Sequence, residues 1–274
     1  MMMLYYFQLK WLLEVNMFKQ LELKRSSKNK KYFHGVNLKE PSLEEFNKYI
    51  ALWNDKYESK YDDYNHELVL GNVFKDYNHS NKVIKEMYIK CVLLDKLYGT
   101  NIKYLDDLIK HLSSIDNFNE MLEQGNPELV NIMKAVKVED ETINYLSFAS
   151  KYCRRYNPKA FPIFDSIVKD MLEYYIANTN FYKGAKPDLT DYVQYKEVVD
   201  QFIKAYPFVQ NYVMLDRYLW AMGKQKLEGI NQLKKLKDKD CDNKDIIKIC
   251  KKVKARENIS IAELEDFIIR KYDL

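Results

Sequence analysis

The residue types able to do chemistry crowd into one segment, Tyr145 to Asp165, YLSFASKYCRRYNPKAFPIFD. It joins small residues, a lysine on an apolar background, an arginine pair, a proline-bounded turn and an aspartate at a helix start. Lys151 follows Leu146, Phe148 and Ala149 and precedes Tyr152 and Cys153. Desolvation at such a position lowers the basicity of an amine, and a neutral amine is a nucleophile. The alternative is a lysine whose stem packs on the helix while its head reaches water. Asp165 precedes the periodic run Ile167, Met171 and Leu172, the place of a helix N-cap. A carboxylate held there keeps its charge and can stabilise positive charge developing on a sugar, so capping and chemistry are compatible roles.

Other chemistries lack their residues. The histidines at 34, 66, 79 and 111 are isolated, and none lies in an HExxH or HxE context. No GxSxG nucleophile elbow and no glycine-rich nucleotide motif occurs. Cysteines at 91, 153, 241 and 250 form no CxxC pair and no zinc spacing. They read as reduced thiols of a cytoplasmic protein, and neither a metal nor a cofactor is expected.

The elements that must position Lys151 and Asp165 are helices. Only 7 Gly and 6 Pro in 274 residues leave little material for the many turns of a sandwich or barrel, while 47% hydrophobic residues supply a real core. An all-α, mostly helical fold is expected. Ser42 and Glu45 form a capping box ahead of Phe46, Ile50 and Trp53. Tyr57 to Asn81, rich in Tyr, Asp, Asn and His, reads as irregular. Val83, Ile84, Met87, Tyr88, Cys91, Leu94 and Tyr98 then recur at three and four, a buried helical stripe. Gly99 ends it, and Asn101 is expected to open the next helix, with Leu105, Leu108, Ile109 and Leu112 buried. Asn126 and Pro127 start a further helix through Leu129, Ile132, Met133 and Val136. Another is expected from about Glu141. Beyond Pro158 and Pro162 come helices bearing Ile163 to Tyr175, Val198 to Ile203, and Phe208 to Gly223. Ser260 and Glu263 cap a small helical tail. No internal repeat is found.

The formal charge of +4, from 44 Lys and Arg against 40 Asp and Glu, by itself argues for no partner. The basic run Lys24 to Lys31, KRSSKNKK, reads as an exposed loop. Lys10, Glu14 and Lys19 interrupt the apolar opening Met1 to Phe18, which is too short for the roughly 18 uninterrupted apolar residues of a membrane span. The expected organisation is therefore an N-terminal segment, 1–40, packed on the core. A helical domain, 41–237, and a small helical C-terminal extension, 238–274, follow it.

The chemistry-bearing segment resembles the helix-hairpin-helix DNA glycosylases, specifically their 8-oxoguanine-glycosylase-like branch. In that family a hairpin between two helices leads to a catalytic lysine, and a short loop later an aspartate precedes the next helix. Those positions match Lys151 in SFASK and Asp165 in PIFDS. The chain departs from the glycine-rich hairpin of the family, with Ser147 and Ala149 in its place. YGTNI, 98–102, is similar to the segment that inserts into the DNA stack, and Asn101 is the matching position, with a plain helix cap as the alternative. LDRYLW resembles the helix lining the base pocket, which places Asp216 and Trp220, four apart, on one face. A core role is the alternative for Trp220.

The resemblance implies a two-lobed helical architecture and an enzyme that extrudes and excises a modified base from double-stranded DNA. It also implies catalytic roles for Lys151 and Asp165, and base contacts from Asn101, Asp216 and Trp220. Backbone contacts would come from Ser147, Ser150, Arg154, Arg155 and Lys159. A monomer is expected. The base is either a glucosylated hydroxymethylcytosine of phage DNA, in defence, or oxidised guanine, in repair. A non-catalytic helical DNA-binding or damage-sensing protein is the rival reading.

Overall fold

With so few glycines and prolines the chain runs in helices, and the computed structural model, which describes residues 40–58, 64–76 and 80–235, is mostly helical. The expectations for residues 1–39, for His79, for Cys241 and Cys250 and for the tail box at Ser260 and Glu263 lie outside the described residues. Contacts divide the chain into two compact units, Ser42–Ala221 and a second made of Met1–Pro41 and Met222–Leu274. Every candidate site residue belongs to the first. Among the described residues no helix is long and apolar enough to cross a membrane.

The unit opens with α1 (Leu43–Leu52), where the Ser42 hydroxyl accepts from the Glu45 N–H at 3.2 Å, the expected cap. It continues into a π-helical turn, Trp53–Tyr57. Next is α2 (Tyr64–Asp76), a helix in the stretch read from sequence as irregular. Its apolar stripe is narrow: Leu70 and Phe74, one turn apart, are buried, while Leu68 and Val69 are exposed. Packing of Phe74 against the rings of Tyr152 and Tyr156, centroids 5.3 and 5.1 Å away, supplies what the polar composition hides.

Helix α3 (Ile84–Tyr98) buries Met87, Cys91 and Leu94 as the stripe predicts and ends at Gly99, whose φ of 60° closes it in the left-handed region. Helix α4 (Leu105–Ser114) starts four residues later than expected, and Asn101 stands in the corner before it at φ 57°. Short helices α5 (Phe118–Glu123) and α6 (Glu128–Lys134) follow.

A two-stranded antiparallel hairpin, β1 (Ala135–Val138) and β2 (Glu141–Asn144), replaces the helix expected from Glu141 and takes Val136 from the end of α6. The period-2 pattern of VKV and TI, with β-branched residues on both sides of a two-residue loop, is the signal that was misread. Glu139 supplies the positive φ, 51°, that the tight loop requires.

The hairpin joins α6 to α7 (Leu146–Tyr156), which packs against α6, α3 and α2. Then come α8 (Ser166–Asn178), α9 (Tyr192–Ala205), a 3₁₀ turn at Pro207–Val209 and α10 (Tyr212–Lys235). Phe208 thus lies in the 3₁₀ turn, and α10 runs past Gly223.

Candidate functional site

Lys151 sits in the middle of α7, whose other faces bury Leu146, Phe148, Ala149, Tyr152 and Cys153. Its stem is half-buried, and the amine donates to the Ser147 hydroxyl, one turn back, at 2.7 Å. The same nitrogen lies 5.6 Å from the ring centroid of Tyr98, the last residue of α3. The Arg155 guanidinium, one turn further along α7, stacks on that ring at 5.2 Å and donates to its phenol oxygen. Burial pushes the Lys151 amine below the ordinary lysine range, and the charges of Asp165 and Asp216 push it back up. The amine therefore feels the charges of two carboxylates contributed by two other elements.

Asp165 caps α8, its Oδ1 accepting from the Ile167 N–H at 2.7 Å. The segment that delivers it is fixed at successive residues. After α7 the chain turns through Asn157, whose carbonyl accepts from the N–H groups of Ala160 and Phe161. The buried Tyr192 hydroxyl donates to Pro162 O at 2.6 Å, and the Tyr195 hydroxyl to Ile163 O at 2.8 Å, both from α9. The Phe164 N–H donates at 3.0 Å to Ser150, and Ser150 in turn donates at 3.1 Å to Ser147 O. One serine thus ties the helix carrying Lys151 to the residue preceding Asp165. Backbone groups that would otherwise be orphaned are satisfied by side chains, which holds the carboxylate in place.

Asp216 enters from the first turns of α10. Besides Lys151, it acts with Asp165 on Tyr195, whose phenol is held well above its ordinary range, first by burial and then by these two charges. Asp165, Asp216, Lys151 and Tyr195 therefore form one electrostatic group, brought together by α7, α8, α9 and α10. Trp220, one turn beyond Asp216, packs edge-on against Trp53 at 5.4 Å and Tyr57 at 5.2 Å. Its ring is half-buried in an aromatic cluster built with the π-helical turn.

The remaining sequence candidates fall in different places. Asn101 is exposed in the corner between α3 and α4. That corner is stiff: the Asp95 carboxylate accepts from the Thr100 hydroxyl at 2.8 Å and the Ile102 N–H at 3.0 Å. The Tyr145 phenol caps the N–H groups of Lys103 and Tyr104 at 3.3 and 3.2 Å. Lys159 is exposed. Arg154 donates to Pro158 O. Ser150 is corrected as a backbone-contacting residue, because it is 0% exposed and its hydroxyl is the internal tie described above. Ser147 is occupied by the amine of Lys151.

Sequence reasoning missed Tyr98, Tyr192 and Tyr195. Tyr98 falls on the apolar stripe of α3 and reads as core, and the two α9 tyrosines carry no motif. The signal available was only an aromatic excess, 23 Tyr in the chain. Among the described residues no group of three His, Cys, Asp or Glu side chains is arranged to hold a metal.

Comparison with known proteins reaches part of this arrangement. A family model described as the HI_0787_N N-terminal domain matches residues 45–160, less than half of the chain. That stretch includes Tyr98, Asn101 and Lys151 and ends before Asp165, Asp216 and Trp220. An uncharacterized protein of Haemophilus influenzae is 35% identical over 131 residues, 48% of this chain, and the match spans 63% of that relative's length. No solved structure matches the chain.

Proposed function

We propose that the protein is a DNA N-glycosylase of the helix-hairpin-helix type, which extrudes a modified base from the duplex and excises it to leave an abasic site. The observation that carries this reading is that Ser150 ties the helix bearing Lys151 to the residue before Asp165, with the half-buried Lys151 amine acted on by the charges of Asp165 and Asp216 from two other elements. A titratable group perturbed by burial together with specific charge partners is a mark by which functional sites are recognised.

In this mechanism the C1′–N bond breaks with its electron pair leaving on the base, and positive charge develops on the sugar. The Asp165 carboxylate, held at the α8 N-terminus, stabilises that charge. Lys151, deprotonated, adds to C1′ or orients a water that does. If the amine adds, ring opening gives a Schiff base, from which strand cleavage or hydrolysis follows. Asp216 accepts hydrogen bonds from an exocyclic amine or sugar hydroxyl of the extruded nucleotide, and Trp220 lines the pocket wall. Asn101, at an exposed rigid corner, fills the gap left in the stack. Arg154, Arg155 and Lys159 contact phosphates.

The favoured substrate is a glucosylated hydroxymethylcytosine, because an acidic Asp216 suits a sugar-bearing base. An oxidised guanine, removed with strand cleavage, is the second reading and is favoured by the burial-weakened basicity of Lys151. The test is a panel of duplexes carrying oxidised guanine, uracil, hydroxymethylcytosine and its glucosylated forms, treated with alkali to reveal abasic sites. Cleavage of one duplex is expected and names the base. Salt-dependent DNA binding without any cleavage would instead favour a non-catalytic DNA-binding protein, in which Lys151 only bonds Ser147 and Asp165 only caps.

A further inference from the structure

We infer that Tyr98 is a positioning residue for the Lys151 amine, its ring holding the ammonium in place while Arg155 pins its phenol. The inference rests on the reading of Lys151 as a nucleophile. Tyr98 ends α3 directly before Gly99, and its ring carries two cations from successive turns of α7, Lys151 at 5.6 Å and Arg155 at 5.2 Å. The Arg155 guanidinium also donates to the phenol oxygen, which orients the ring. A ring face attracts an ammonium and not a neutral amine. Tyr98 therefore favours the charged form of the amine and aims it, and its hold weakens when the proton leaves.

Charged and polar groups around the site come from several elements. Ser147 and Arg155 lie on α7, Asp165 heads α8, Tyr195 comes from α9, Asp216 from α10 and Tyr98 from α3. Burial lowers the basicity of the amine, and Asp165 and Asp216 raise it; the Tyr98 ring also favours the charged form. The placement also links two parts of the proposed site. The exposed corner bearing Asn101 lies three residues from Tyr98, and the Asp95 bonds stiffen the chain between them. A displacement of that corner by DNA would act on the ring against which the amine rests.

The experiment uses the full chain and two reactions of Lys151. In the first, a small aldehyde, glycolaldehyde, is reduced onto lysines with borohydride across a pH series, and the Lys151 peptide is followed by mass spectrometry. The amine and aldehyde condense to an imine with loss of water, and borohydride supplies the hydride that fixes it. In the second, the protein is trapped by borohydride on a duplex carrying a preformed abasic aldehyde. Tyr98→Leu is expected to move the midpoint of Lys151 labelling down by about half to one pH unit, because the charged form loses its ring. The same variant is expected to slow trapping on the duplex about tenfold through lost aim. Tyr98→Phe, which keeps the ring, is expected to hold the wild-type midpoint. A midpoint unchanged in Tyr98→Leu would overturn the inference, as would an equal shift in Tyr98→Phe. Wild-type protein that releases no base from any duplex of the panel, yet gives the expected midpoints, would sink the excision reading and leave the role of Tyr98 standing.

Discussion

Two lysines on neighbouring helices are set among aromatic rings, and they differ in exposure and in the charges that act on them. Lys90 on α3 is 1% exposed, with its nitrogen 5.9 Å from the Phe74 ring and 5.3 Å from that of Tyr156. Burial pushes its amine down, and Glu86, one turn earlier, pushes it up. Lys151 is likewise lowered by burial, yet the residue is half-buried and feels the charges of two carboxylates from separate elements. Weakened basicity is thus common to both regions. Residue exposure and the origin of the charges, on other elements rather than on the same helix, distinguish them, and both come from the tertiary arrangement.

The sharpest way to break this comparison is to remove the charges on the Lys151 side. Asp165→Asn keeps an N-cap side chain that can accept from Ile167, while deleting the charge. Base release is expected to fall by at least about a hundredfold with DNA binding retained. Full activity in that variant would take Asp165 out of the mechanism. Lys151→Gln is expected to abolish borohydride trapping on abasic DNA. Trapping that persists would move the nucleophile elsewhere, with Lys90 the first residue to examine next.

Much of the Lys151 region was legible in the sequence because its signals are local. A lysine on an apolar background, an aspartate ahead of a helical period and a proline-bounded turn can all be read within one segment of 21 residues. The helix cap at Asp165 and the stripe of α3 follow from spacing alone. What was not legible depends on long-range contact. Lys90 falls on a stripe with Met87, Cys91 and Leu94 and carries no sequence signal of its own. Helix α2 looks irregular until Phe74 is seated against Tyr152 and Tyr156. The hairpin at 135–144 was legible in principle, since alternating β-branched residues announce it. The helical reading of the surrounding chain overrode them. Tyr98 and Tyr195 become meaningful only when α3 and α9 are brought beside α7.

The next largest effect concerns the scaffold of that region. Gly125 has a φ of 67°, and a Cβ there would meet the Cβ of Ala160 at 2.4 Å, in the turn leading to Asp165. Gly125→Ala combines backbone strain with a clash against that turn, so a loss of about 2 to 3 kcal/mol is expected in denaturant unfolding. If Asp165 is positioned by this turn, base release should fall as well, at temperatures where the variant is fully folded.

A smaller effect separates the two lysines by pH. An amine whose basicity is lowered in the folded state binds fewer protons there than in the unfolded chain. Stability then rises as pH increases from the lowered folded value toward the unfolded value of about 10.4. Lys90→Met removes that contribution. The Tm of wild type should therefore rise relative to that of the variant as pH increases on the alkaline side, and base release should stay within about twofold of wild type. Release that collapses in a folded Lys90→Met protein would end the distinction between a sealed lysine and a reactive one.

The smallest effect comes from Tyr195, which touches both the scaffold and the charges. Its hydroxyl satisfies Ile163 O at 2.8 Å, and its ring meets that of Phe164, the residue before Asp165, at 5.1 Å. Tyr195→Phe keeps the ring and removes the hydrogen bond, leaving a carbonyl without that donor. A cost of about 1 kcal/mol, or about 2 to 4 °C in Tm for a unit of this size, is expected. The two functions of the residue separate in the kinetics. If the hydroxyl only supports the segment, base release in the folded variant follows wild type across pH. If it also orders the field around Lys151, the pH profile of release shifts while the fold does not. A shifted profile would show that the α9 member of the electrostatic group tunes Lys151 itself, and would widen the contrast with Lys90, whose charged neighbour Glu86 shares its helix.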